Sequence, residues 1–170
     1  MNVAEIPSPE THYLSAAEGW LMLGDPQAAE AELDLIPPDF ASHPDVLEIR
    51  WRLLAVRKHW AAALGIARQL VQSVPDRSLS WINQSYALHE LSQTGEAWSL
   101  LLPIAERFPE EPTIAYNLAC YACQLGLLQD CRQWLRRAAR LGSRNEILTS
   151  ALTDPDLAPL RHELKSILRS

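Results

Sequence analysis

The sequence has little glycine, little of the alternation that marks β-strands and no long apolar run. It contains only six glycines in 170 residues, while Ala, Leu, Glu, Gln and Arg, which favour helices, dominate. No apolar run approaches the roughly 18 residues of a membrane span. The start, MNVAEIPSPE, is polar and broken by proline, unlike the basic-then-apolar opening of a signal peptide. We therefore predict an all-helical protein with neither a membrane segment nor a signal peptide.

Cysteine is scarce as well. Cys120, Cys123 and Cys131 are an odd number crowded into one region, unlike a secreted disulfide framework. This favours a reducing, cytoplasmic location.

Positive charge is missing from the first part of the chain. Residues 1–49 carry ten acidic residues and no lysine or arginine, although the whole chain has 21 acidic and 15 basic residues. The remainder therefore carries 11 acids against 15 bases. Such an asymmetry favours an oriented encounter with a charged partner.

A repeat of 34 residues runs through the sequence. A small-residue column contains Ala29, Ala63, Ala97 and Cys131. Four further columns hold mostly apolar residues: Leu33, Ala67, Leu101 and Leu135; Ile36, Leu70, Ile104 and Ala138; Tyr13, Leu47, Trp81 and Ala115; Trp20, Leu54, Leu88 and Ala122. Five columns in register predict four units of two antiparallel helices. The small residue lets the two helices approach closely.

These columns resemble the tetratricopeptide-repeat family over residues 10–143, with Gly24 and Gly126 in the turns between helices. Trp51 departs from the family's small-residue column of the first helix, and Lys58 stands in a turn without glycine. The resemblance implies a right-handed superhelix whose first helices line a concave, protein-binding groove. The chain is also similar to bacterial kinesin-light-chain-like proteins, which implies association with bacterial tubulin-like filaments.

The predicted organisation has three parts. Residues 1–9 form a flexible N-terminus, and the repeats span residues 10–43, 44–77, 78–111 and 112–143. Residues 144–170 form capping helices, with an apolar stripe that covers the last repeat. The stripe consists of Leu157, Leu160, Leu164, Ile167 and Leu168.

The shift of 34 residues also identifies side chains that share the groove face. The predicted groove residues are Ser15, Arg52, Asn83, Tyr86, Tyr116 and Asn117. A carboxamide carries both a donor and an acceptor, so Asn83 and Asn117 could hold the backbone of an extended peptide. Asparagine tolerated on a solvated helix face is the alternative.

Basic residues cluster near the end of the chain at helical spacing. The predicted basic surface contains Arg132, Arg136, Arg140, Arg161 and Lys165. It suits an acidic protein partner or filament surface, or the acidic first repeat of another copy. A solvated helix face is the alternative. Nucleic acid is disfavoured because the chain is acidic and aromatic residues do not interleave with the basic ones.

Catalytic motifs are lacking. Cys120 and Cys123 form a C-x-x-C in the middle of a helix, without a second pair or a nearby histidine in sequence, so small buried side chains are the favoured interpretation. We expect no cofactor, no metal and no enzyme activity. The sequence predicts a protein-binding scaffold, monomeric or weakly self-associating. A secretion chaperone is the alternative, and a thiol or metal enzyme is a more distant one.

Overall fold

The computed structural model describes residues 6–169, in which the regular elements are α-helices and short 3-10 turns, without a strand. In chain order the helices are α1 (Glu10–Met22), α2 (Pro26–Asp34), α3 (Pro44–Val56), α4 (Trp60–Ser73), α5 (Ser78–Glu90), α6 (Thr94–Leu101), α7 (Ile104–Arg107), α8 (Pro112–Gln124), α9 (Leu128–Leu141), α10 (Arg144–Thr153) and α11 (Leu164–Ile167). The 3-10 turns are η1 (Pro38–Phe40) and η2 (Pro155–Leu160).

Contacts divide the chain into two compact units, Met1–Ala87 and Leu88–Ser170. In the first unit α1 packs on α2 and α3 packs on α4, and in the second α8 packs on α9. These are the antiparallel pairs that the repeat predicts. The number of repeats remains an interpretation of the sequence.

Proline and capping side chains set where several helices begin. Pro26, Pro44 and Pro112 each occupy the first helical position, where a missing N–H costs nothing. Ahead of Pro26, the Asp25 carboxylate accepts the backbone N–H groups of Gln27 and Ala28, at 3.2 and 2.9 Å. The Asp25 side chain thus accepts N–H groups for which the first turn of the helix has no partner.

The turns between paired helices share one backbone conformation. Gly24, Lys58, Ser92 and Gly126 are spaced by the repeat length, and all have left-handed φ angles of 78°, 57°, 62° and 75°. In each turn the next residue's N–H bonds to the carbonyl five positions earlier, as from His59 to Leu54 at 2.9 Å. This pairing closes the end of the preceding helix. The two turns without glycine at this position, at Lys58 and Ser92, therefore keep the geometry of the two that have it.

Three of the five repeat columns lie entirely in the protein core, whereas the Tyr13 and Trp20 columns mix buried and partly exposed residues, with Trp20 39% exposed. All four members of the small-residue column have no exposed surface. The Leu33 column is at most 2% exposed, and the Ile36 column at most 8%. Trp51 is also buried, so the first-helix column accommodates a large side chain at that position.

The N-terminal segment is only partly described. The predicted flexible segment is 1–9, and its residues 1–5 lie outside the described residues. Ile6 packs against the core cluster of the first unit, and its carbonyl accepts the Thr11 hydroxyl at 2.7 Å. These contacts tie the residues just before α1 to that unit.

Two elements differ from a plain reading of the pattern. Pro103 separates α6 from α7, because proline has no N–H and clashes with the preceding turn of a helix. In the cap, where the sequence predicts helices, part of the chain forms the 3-10 turn η2 and only a short α11, with Pro159 inside η2. The apolar stripe of this cap is nevertheless at most 4% exposed. The cap thus buries the predicted residues with a more irregular backbone.

Candidate protein-binding site

In the first unit, an ion pair occupies the predicted groove column of α1 and α3. The Arg52 guanidinium lies 2.6 Å from the Glu18 carboxylate, one repeat length away in sequence. Ser15 is exposed, and its hydroxyl donates to the Thr11 carbonyl at 2.9 Å. Arg52 and Ser15 are therefore accessible, although each already has an intramolecular partner.

Asn83 is placed differently from what its column suggests. Its side chain lies in α5 and the residue is only 3% exposed. Ile49, one repeat earlier in the same column, is also buried at 7%. The column thus turns inward at these two positions, and Asn83 offers no exposed amide to an incoming peptide.

Tyr86 forms the most exposed aromatic feature of the predicted face. Its ring makes edge contacts with Trp51 and Trp60, with centroid separations of 6.5 and 5.5 Å, and 36% of the residue is exposed. The Trp51 indole N–H is buried and has no hydrogen-bond partner. In this cluster the Tyr86 ring is partly exposed to solvent and packs against the rings of Trp51 and Trp60.

In the second unit, Tyr116 contacts the chain's own cap. Its hydroxyl donates to the Asp154 carboxylate at 2.9 Å, and the Cys120 thiol donates to the same oxygen at 3.5 Å. The other Asp154 oxygen accepts the backbone N–H of Asp156 at 2.9 Å. The polar groups of α8 at these positions thus hold the junction of α10 and η2.

His89 extends this polar network. Its Nε2 lies 2.9 Å from the Asp156 carboxylate, its Nδ1 lies 3.0 Å from the Thr94 hydroxyl, and its ring stacks at a tilt on Tyr121. The hydrogen bond to the Asp156 carboxylate raises the pKa of His89, and partial burial opposes that change. The pairing joins positions 67 residues apart, and no local motif marks it.

The three cysteines are buried free thiols. Burial is the main cause that raises the pKa of Cys120, and the carboxylates of Asp154 and Asp156 raise it further. Burial likewise raises the pKa of Cys131 to about 12. Thiols of this kind remain protonated and are poor nucleophiles.

Among residues 6–169, one group of side chains has the composition of a metal site. The Cys120 sulfur and carboxylate oxygens of Asp154 and Asp156 lie within 4.8 Å of one another. Sulfur with oxygen ligands would suit a borderline-soft ion such as Zn²⁺. However, these atoms already have hydrogen-bond partners, Cys120 with Asp154 and the Asp156 carboxylate with His89, so the network needs no ion to explain its geometry. The C-x-x-C itself contributes only one of its cysteines.

Tyr116 also lines a cavity of about 310 Å³ between α8 and α10. Its other walls are Pro112, Thr113, Gly142, Ser143, Glu146, Ile147 and Ser150. The lining combines hydroxyl groups, one carboxylate and apolar carbon, which suits a polar peptide segment better than a purely apolar ligand. Asn117, the neighbour of Tyr116, is half-buried.

The predicted basic residues do not form one uniform surface. Arg132 is paired with Glu163 at 2.9 Å, and Arg136 is half-buried with an interaction of its own. The Arg161 guanidinium donates to the Asp154 carbonyl at 3.4 Å, whereas Arg140 and Lys165 are exposed. Lys165 lines a separate cavity together with Arg144 and Arg169, two cations that the predicted basic surface does not include.

No described helix is both long and apolar enough to cross a membrane.

Comparison with known proteins identifies the fold. MamA RS-1, solved as an ArsTM double mutant, matches with a TM-score of 0.70 and 14% identity, covering 97% of this chain and 95% of that chain. MamA 41-end from Desulfovibrio magneticus RS-1 matches with a TM-score of 0.67 and 14% identity, covering 97% and 96%. No protein-family model and no curated protein matches the sequence.

At this identity the similarity establishes the fold alone. The chain has an all-α fold of the tetratricopeptide superhelix type, which confirms the predicted fold class.

Proposed function

We propose that this chain is a non-enzymatic scaffold that binds a segment of another protein along the first-helix faces. The observation that carries the proposal is Tyr86, a partly exposed ring supported by Trp51 and Trp60. Tyrosine and tryptophan are enriched among the residues that dominate binding energies, because they supply a large, rigid contact area.

Polar groups in each of the two units would orient the bound segment. Arg52 and Ser15 are accessible in the first unit, and Asn117 and the cavity beside Tyr116 offer hydrogen-bonding groups in the second. Asn83 is left out of the proposed contact set because it is buried. Of the groove residues predicted from the sequence, the proposal therefore retains Ser15, Arg52, Tyr86 and Asn117 as contacts, and Tyr116 only as a wall of the cavity.

A site-specific crosslinking experiment tests this proposal. A photoreactive phenylalanine analogue at Tyr86 should capture a defined protein from native lysate, while the same analogue at the exposed Gln69 of α4 should not. The captured protein, once purified, should bind the Tyr86→Ala variant at least about tenfold more weakly, since truncating an aromatic anchor costs about 2 kcal/mol or more. Equal capture at both positions, or unchanged affinity of the variant, would remove the groove as the binding site.

The finer proposal is an adaptor in the cytoplasm that associates with bacterial tubulin-like filaments, as the kinesin-light-chain resemblance suggests. It predicts co-sedimentation with the polymer and none with unpolymerised subunits. A secretion chaperone predicts instead a stable one-to-one soluble complex with its client. An enzyme predicts thiol-dependent turnover or bound metal, and the buried, protonated cysteines argue against the first of these.

A further inference from the structure

A second cavity, of about 320 Å³, lies in the C-terminal cap and plays no part in the groove proposal. It is formed by the first turns of α10 and by the end of the cap around α11. Its lining residues are Arg144, Asn145, Leu148, Lys165, Leu168 and Arg169. Three of these six side chains are cationic, and none is acidic.

The three cations lack compensation within the described chain. Arg144, Lys165 and Arg169 are exposed, and no carboxylate of residues 6–169 pairs with any of them. Among acids close in sequence, Glu163 pairs with Arg132, Asp154 accepts a hydrogen bond from Tyr116, and Glu146 lines the other cavity, beside Tyr116. Like charges around one cavity repel one another, and an anion placed among them relieves that repulsion.

The remaining lining specifies the kind of anion. Leu148 and Leu168 add apolar surface, which a free inorganic anion would not use. Asn145 can both donate and accept a hydrogen bond, as a peptide group requires. The described lining has no aromatic ring on which a base could stack, and the whole chain has a net charge of −6, both unfavourable for nucleic acid.

We infer that this cavity is a docking site for an acidic segment of a partner protein, in which carboxylates contact Arg144, Lys165 and Arg169 and an apolar side chain packs on Leu148 and Leu168. The inference rests on the proposed scaffold function only in requiring a protein partner. It concerns other residues than the Tyr86 face, so either binding surface can fail without the other.

The test uses the full chain and a short fluorescein-labelled peptide of alternating Asp and Leu, followed by fluorescence anisotropy at low salt. Replacing Asp by Asn, or Leu by Ser, in the peptide should weaken binding strongly. Lys165→Glu should weaken binding about tenfold, because one attractive contact becomes repulsive. Tyr86→Ala should leave this affinity unchanged, which separates the cavity from the groove.

Arg140→Glu is the matched control, because it changes the charge equally on an exposed residue of α9 that does not line the cavity. Far-UV circular dichroism and the thermal midpoint check that both variants fold. An equal loss in Arg140→Glu would show a diffuse positive field and overturn the cavity. Equal binding of the Asp-Ser peptide, or displacement by inorganic phosphate at matched ionic strength, would overturn the acidic-apolar ligand. Self-association that disappears in Lys165→Glu would replace the partner protein by a second copy.

Discussion

The left-handed turns between helices make a quantitative prediction at Lys58. This residue has φ of 57°, and glycine occupies the equivalent turn positions at Gly24 and Gly126. A residue with a Cβ pays about 1–2 kcal/mol for this conformation. Glycine removes that cost but loses about 0.4–1 kcal/mol through the greater entropy of its unfolded state. Lys58→Gly should therefore stabilise the fold by about 1 kcal/mol.

The assay is thermal unfolding followed by circular dichroism or calorimetry. For a chain of this length, about 1 kcal/mol corresponds to a rise of about 2–4 °C in the midpoint. Lys58→Ala is the control for the loss of the lysine side chain, because it removes that chain but keeps the Cβ. It should leave the midpoint close to that of the original protein, since Lys58 is exposed.

Two glycine substitutions check the sign of the argument. A Cβ added at Gly24 meets nothing within 4 Å, but the φ of 78° remains unfavourable, so Gly24→Ala should destabilise the protein. Gly65 lies inside α4, is exposed and has equal space around it. Gly65→Ala should stabilise by about 1 kcal/mol through helix propensity. Equal midpoints for Lys58→Gly and Lys58→Ala would refute the reasoning, as would the same sign for the two glycine variants.

Three further outcomes follow from the core and the cap network. The hydrogen bond to Asp156 raises the pKa of His89 in the folded state. The stability that this bond contributes is therefore fully present below about pH 6.5, the ordinary pKa of histidine, and is lost as the pH rises through the folded-state pKa. Thermal midpoints should decline as the pH rises above about 6.5 in the original protein but not in His89→Gln. Ala97→Leu should destabilise by about 1–3 kcal/mol in denaturant titrations, because Ala97 has no exposed surface in a close helix contact. The three buried thiols should react with a thiol reagent far more slowly in buffer than in denaturant, and fast labelling of the native protein would contradict their burial.

The core was predictable from sequence because burial and periodicity are directly related. A recurring helix pair buries the positions where its two helices meet, and the column from Ala29 to Cys131 is fully buried, whereas the column that contains Trp20 ranges from 39% exposed at Trp20 to fully buried at Ala122. The repeat also determines backbone conformation, as Lys58 shows. The φ angle follows the position in the turn even though the residue there has changed.

The site was predictable only in part, because a shared face does not fix how deeply each residue is covered. Asn83 and Asn117 occupy one column, yet the first is buried and the second is half-buried. The pairing of His89 with Asp156 depends on where the cap folds back, which no repeat position encodes. Proline is a recognisable signal for a helix break, but the apolar columns continue on both sides of Pro103, at Leu101 and Ile104, so the pattern alone suggests an unbroken helix.

The cap network changes what α8 can offer to a partner. The Tyr116 hydroxyl bonds to Asp154, the Gln124 amide donates to the Asp156 carbonyl at 2.9 Å, and Cys120 is buried beneath them. A peptide that used these donors would have to break bonds to a segment whose leucines are in the core, and an unreplaced buried hydrogen bond costs about 1–3 kcal/mol. A partner that binds along α8 therefore loses less free energy at Asn117 and in the cavity beside Tyr116, because these bonds to the cap stay intact there. Specificity in the second unit should accordingly depend on those groups, while the residues facing the cap act chiefly on stability.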